Sequence, residues 1–133
     1  MGRFLLYADE VVAGWMEKVT GQRVFPPYTA FAELDTHGQI RAGLLFNDCQ
    51  EASVEVSLVA PRAVSRSLLR VAASHAFDTL GCNRVTARTR ASSLRVRRFI
   101  LKAGFREEGV LRSYYRDGDD AILFGMLKTE RRW

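Results

Sequence analysis

Cysteine is scarce in this chain of 133 residues: there are two, Cys49 and Cys82. They form no Cys-x-x-Cys pair and no cluster with histidine, which excludes a zinc ribbon and a disulfide framework. Only two histidines occur, His37 and His75, so no metal site is expected. Lysine stands only at 18, 102 and 128, and the basic side of the balance is therefore arginine. No apolar run approaches the ~18 residues that a membrane helix needs. The first twelve residues, "MGRFLLYADEVV", have one basic residue and early acids, unlike a secretory signal. A reduced, cytoplasmic setting away from membranes is the expectation.

A single domain spanning 1–133 is expected from the length. Hydrophobic residues make up 47% and charged residues 26%, enough apolar side chain for a core and no disorder signature. The net charge of +5 favours anionic partners, whether a phosphorylated cofactor or nucleic acid.

The pattern along the chain alternates between helix and strand. Asp9 is placed to cap a helix whose apolar face holds Val12, Trp15, Met16 and Val19. "RVFPPY" is a stiff loop, because Pro26 and Pro27 fix φ and lack donors. "YTAFAELD" and "IRAGLLFND" read as a hairpin across "THGQ", and "SVEVSLVA" as a further strand ended by Pro61. A long helix is expected from about Ala63, with Leu69, Ala72, Ala73, Ala76 and Leu80 buried and Gly81 as terminator. "RVTARTR" is a strand. "SSLRVRRFILKAG" is a Ser-capped helix with Val96, Phe99, Ile100 and Ala103 on its apolar face. "FREEGVLRSYY" and "AILFGMLK" are strands joined across the Asp117-Gly118 turn. Strand-helix-strand in the middle demands parallel pairing there, and the hairpins demand antiparallel pairing elsewhere. The expected fold is α/β (α+β): a mixed, mostly antiparallel twisted sheet of about six to seven strands with helices on both faces.

The stretch "SSLRVRRFILKAGFREEGVLRSYYRDGDDAILFGMLKTE" resembles the C-terminal half of the GNAT N-acetyltransferase family, and most of all its ribosomal-protein alanine acetyltransferase branch. The resemblance rests on the Gly104-Phe105 pair that ends a helix, Glu108-Gly109 and Leu111-Arg112 one strand later, and the closing hairpin. "SLLRVAASHAFDTLGCNRVTART" is similar to that family's cofactor-binding helix and the strand after it. The resemblance implies a GNAT-like fold and acetyl-CoA (coenzyme A) as cofactor. It implies an acetyl transfer to a small-molecule or peptide amine acceptor, carried out by a monomer or homodimer. Three departures stand out. "APRAVS" replaces the usual Arg/Gln-x-x-Gly-x-Gly/Ala signature, Ser93 stands where Asn often opens the last helix, and Ile100 stands where a tyrosine often protonates the leaving thiolate.

Candidate site residues follow. The strand end and turn, Leu58, Val59, Ala60, Arg62, Ala63, Val64, Ser65, Arg66 and Ser67, are candidates for the cofactor, with Ser93 and Arg98 further on. The first turn of a helix offers unpaired N–H groups to a diphosphate. Arg62, Arg66 and Arg70 fall at i, i+4, i+8 on one helical face, and the hydroxyls of Ser65 and Ser67 are extra donors. Amine acylation needs a base. Glu55, mid-strand and opposite Val54 and Val56, corresponds to the base of some family members. Ser93 and Tyr114 are candidates to protonate the thiolate. Trp15, Phe25 and Tyr28 flank the Pro-Pro loop, on the side where the resemblance implies the acceptor enters. Two rival readings fit the same charge. One is a catalytically degenerate GNAT-like domain that binds nucleic acid or ribonucleoprotein, with Arg88, Arg90, Arg95, Arg97 and Arg98 as its patch. The other is an acyltransferase with a nucleobase acceptor.

Overall fold

A computed structural model describes residues 3–62 and 64–133. Seven strands form one sheet: β1 (Arg3–Leu5), β2 (Tyr28–Leu34), β3 (Ile40–Gln50), β4 (Ser53–Val59), β5 (Arg84–Arg90), β6 (Arg106–Leu111) and β7 (Ala121–Leu127). Their spatial order is β1-β2-β3-β4-β5-β7-β6. Among the described residues only β4 and β5 pair in parallel, and every other neighbour is antiparallel. Three α-helices cover the sheet: α1 (Asp9–Thr20), α2 (Arg66–Ala73) and α3 (Leu94–Lys102). This is the mixed sheet that the strand-helix-strand pattern required.

Alternation along the strands assigns the two faces. Val54 and Val85 sit on one face and pack with Leu68, Ala76 and Phe77 of the α2 region. Ala87, Ile122 and Phe124, on that same face, pack against Ile100 of α3. The other face carries α1, whose Val12, Ala13 and Met16 pack on Ala30, Ala32 and Leu45. Gly43 lies beneath α1, and a Cβ there would meet Met16 and Val12 side chains at 3.1–3.2 Å, so glycine lets the helix sit low on the sheet.

Several helical expectations need correction. Asp9 does not cap α1; Ala8 holds that place, and Asp9 Oδ1 accepts from Ala30 N on β2 at 2.8 Å. Ala13 replaces Val19 on the buried face, and Val19 is exposed. The second helix begins at Arg66, and residues 74–79 continue it as a π-helical turn. The extra residue of a π turn shifts the phase of the apolar stripe. Ala73 and Ala76 are buried as expected, Leu69 and Ala72 are half-buried, Leu68 and Phe77 join the buried set, and Leu80, beyond the turn, is exposed. Gly81, at φ 69°, ends it as expected. Val96 is exposed on α3, and Ile100 and Ala103 carry the burial. The first strand of the last hairpin stops at Leu111, so Tyr114 and Tyr115 lie in the loop before β7.

Candidate active site

Parallel pairing of β4 with β5 runs from Ser53↔Arg84 to Val56↔Ala87 and stops there. Both strands continue for three more residues, Ser57–Val59 and Arg88–Arg90. Past Val56 each therefore has backbone groups turned toward its neighbour but not bonded to it. Pro61 follows two residues after β4 and removes a donor from that end. The gap opens into a cavity of about 430 Å³. Its lining includes Ser57, Leu58 and Val59 from β4, and Leu69 and Ala72 from α2. Thr89 of β5 and Ser93, Phe99 and Ile100 at α3 also line it.

The turn from β4 to α2 holds the remaining cofactor candidates. Ala63 lies outside the described residues. Ser65 is the N-cap of α2: its Oγ accepts from Leu68 N at 3.1 Å and donates to Oε1 of Glu33 on β2. The expectation that Ser65 offers a free hydroxyl donor is thus corrected, because its proton is already used. Glu33 is 2% exposed, and Arg41 Nε stands 3.2 Å from its other oxygen. This buried carboxylate fixes the start of α2 to the sheet. The Arg62, Arg66 and Arg70 row is also corrected. Arg62 precedes the helix, leaving only Arg66 and Arg70 on it. Both are exposed, and no ion pair reaches either among the described residues. No acidic residue stands in the first turn of α2, so the helix dipole and Arg66 add to one positive potential. Ala60, Arg62, Val64, Ser65, Arg66 and Ser67 border the turn without lining the cavity, and Arg98 is exposed on α3 away from it.

A second cavity, about 690 Å³, lies beside the first. Phe46, Glu55, Arg88 and Tyr114 belong to the walls of both. Strand alternation divides this second cavity between the two faces of the sheet. Tyr28, Asn47 and Glu55 are cross-strand neighbours on the α1 face, and Phe46, Val54 and His75 belong to the opposite face. The Pro-Pro loop supplies Phe25, Pro26 and Pro27 to the wall. Trp15 takes no part, packing instead beside α1's own core cluster.

Arg88 organises the junction of the two cavities. Its Nη2 ion-pairs with Glu55 Oε1, its Nη1 donates to Tyr114 Oη, and its guanidinium lies 4.9 Å from the Tyr114 ring centre. Burial works against the Arg88 charge, and the hydrogen bond and charge of Glu55 more than offset it, raising its pKa. Among the described residues, no hydrogen bond reaches Glu55 Oε2. Next along the strand, Arg90 grips Asp117 at 2.9 and 3.1 Å and lies 4.2 Å from the Tyr115 ring centre. The rings of Tyr114 and Tyr115 meet edge to face at 5.0 Å. Arg88 and Arg90 are candidates for the patch of the rival nucleic-acid reading. They are spent on Glu55, Asp117 and Asp119, and Arg97 on Glu107. The signal that pointed to their true setting was the run of carboxylates and tyrosines in the last loop.

His75 is 6% exposed, within 4.8 Å of the ring centres of Phe31 and Phe46, and neither ring nitrogen has a partner. Burial lowers its pKa from the ordinary 6.5, and Asp9 opposes this. The folded state therefore resists protonation that the unfolded chain accepts. Its contribution to stability is complete above the unfolded pKa and is lost as pH falls below it. Urea midpoints should drop between about pH 7.5 and about pH 5.5, and His75→Leu should flatten that dependence.

Among the described residues, no group of three or more His, Cys, Asp or Glu could hold a metal ion, and no helix is long and apolar enough to cross a membrane. No family model matches the chain. A 67-residue stretch, 50% of this chain, is 35% identical to an uncharacterized N-acetyltransferase of Methanocaldococcus jannaschii. The match spans 42% of that protein, less than half its length. The spermidine/spermine N-acetyltransferase SpeG of Vibrio cholerae has the same fold, with a TM-score of 0.81 over 97% of this chain and 96% of its own, at 11% identity. A candidate phosphinothricin N-acetyltransferase superposes with a TM-score of 0.72 over 96% and 98%, at 17% identity.

Proposed function

We propose that this chain, which has the GNAT acetyltransferase fold, moves an acetyl group from acetyl-CoA to a primary amine by direct transfer. The observation that carries the reading is the early end of β4–β5 pairing at Val56↔Ala87 beside a cavity flanked by α2. Unpaired strand groups suit an amide-bearing arm such as pantetheine, and the orphan N–H groups of Arg66 and Ser67 suit a diphosphate. Acetyl-CoA supplies a thioester: the amine nitrogen bonds to the acetyl carbon as the C–S bond breaks, and the thiolate leaves to take a proton.

Glu55 is the base. It faces both cavities, so it borders cofactor and acceptor alike. Arg88 holds Oε1, and Oε2 is left to receive the proton of the incoming ammonium. Tyr114 is better placed than Ser93 to protonate the thiolate, because it stands at the junction while Ser93 lines the cofactor cavity alone. Tyr114 Oη accepts from Arg88, which leaves its own O–H to donate. Tyr114→Phe should lower kcat about tenfold with little change in cofactor affinity. Arg66→Glu should do the reverse, weakening coenzyme A about tenfold at low salt, since it sets a like charge against the diphosphate. The reading as a whole is tested by free-thiol release from acetyl-CoA over a panel of primary amines. Release that depends on the amine supports it, and its absence with every amine sinks it.

The nucleic-acid alternative loses its main support once Arg88, Arg90 and Arg97 are neutralised by carboxylates. Oligonucleotide binding should be weak and should vanish near 150 mM salt, where the screening length is about 8 Å. Micromolar affinity at that salt would revive the alternative.

A further inference from the structure

One polar side chain beside the base is unused by this mechanism. Asn47 is the residue directly across from Glu55 on β3, with Tyr28 directly across on β2, so the three share one face. The β3–β4 register breaks immediately after Asn47, and Asp48 adopts a φ of 50°. That irregularity ends the ladder beside the cavity, and Asn47 forms part of the cavity wall. Its Oδ1 is buried and accepts no hydrogen bond. Nor does its amide nitrogen donate to any described residue. A buried amide oxygen is normally paired, so one left open in the wall of a cavity calls for a donor from a ligand.

The neighbouring side chain identifies that donor. Directly opposed residues in an antiparallel pair hold their Cβ atoms about 5 Å apart, so Asn47 and Glu55 stand side by side in the wall of one cavity. An amine nitrogen brought to Glu55 there can give a second N–H to Asn47. We infer that Asn47 is an acceptor-binding residue. Its Oδ1 holds one N–H of the attacking amine while Glu55 removes another proton, which turns the lone pair toward the acetyl carbon. A neutral primary amine has two N–H groups and can keep the Asn47 bond after giving up its proton.

This inference rests on the acetyltransferase reading, and the experiment separates the two. Take a primary amine that the wild-type protein acetylates and compare its kcat/KM in the wild type, Asn47→Leu and Asn47→Asp. The expected result is a kcat/KM that falls about tenfold in Asn47→Leu, the worth of one hydrogen bond. Asn47→Asp, which keeps an oxygen at the same place, should retain most of it. Coenzyme A affinity by calorimetry should hold in both variants, which also reports that they fold. An unchanged kcat/KM in Asn47→Leu, or equal loss in Leu and Asp, overturns the role of Asn47 and leaves the acetyltransferase reading standing. Failure of the wild type to acetylate any amine overturns both.

Discussion

Glu55→Gln should lower turnover about 100-fold near neutral pH and leave coenzyme A affinity within about twofold. The substitution keeps the shape of the side chain and an oxygen to accept from Arg88, and removes only the capacity to take a proton. An ammonium is not a nucleophile, so the rate then depends on the small fraction of acceptor already deprotonated in solution. Raising the pH increases that fraction, and the variant should recover toward the wild type as the solution replaces the missing base. A merely structural role for the Glu55–Arg88 pair predicts a different pattern, in which stability falls and no pH rescue appears. Stopped-time assays of thiol release across a pH series distinguish the two. Equal rates for both proteins at neutral pH would remove Glu55 from the chemistry.

Phe124→Ala should cost about 3–5 kcal/mol of folding stability. Phe124 is wholly buried on β7, which lies between β5 and β6, and it packs with Ala87, Ile100 and Ile122. It is thus the seat on which α3 rests. Truncation removes most of a large apolar side chain from a site bounded by three sheet strands, which collapse poorly into a void. A domain of this size has about 5–15 kcal/mol in total, so about a fifth or more of the margin would go. Val96→Ala on the exposed side of the same helix is the control and should cost about 0.5 kcal/mol or less. Urea unfolding measures both. A loss below about 1 kcal/mol at Phe124 would mean that α3, with Ser93 and Ile100 at the cavity, is not held as described.

The strands and their mixed pairing were legible in the sequence because alternation in "YTAFAELD" and "SVEVSLVA" is unambiguous, and Pro61 marks where β4 must stop. The face of Glu55 followed from the same alternation. Phase on the long helix was legible as far as Ala76 and lost by Leu80. A π turn at 74–79 rotates the stripe by a residue, and no periodicity scan that assumes 3.6 residues per turn anticipates it. The role of Ser65 was hidden for another reason. Its hydroxyl is taken by Glu33, 32 residues away in sequence, a contact that only the packing of α2 on β2 creates. The setting of Arg88 was hidden because its partners, Glu55 and Tyr114, lie 33 and 26 residues away. Nothing local in "RVTARTR" says which of its arginines will be neutralised. Asn47 gave no signal at all, since its meaning depends on a broken ladder and an unpaired oxygen.

Calorimetric titration with acetyl-CoA and with free coenzyme A decides whether the gap between β4 and β5 is a coenzyme A site. Saturable binding of both ligands is expected, one per chain, at micromolar to tens-of-micromolar affinity, weakened about tenfold by Arg66→Glu at low salt. No heat of binding from either ligand at millimolar concentration would contradict it.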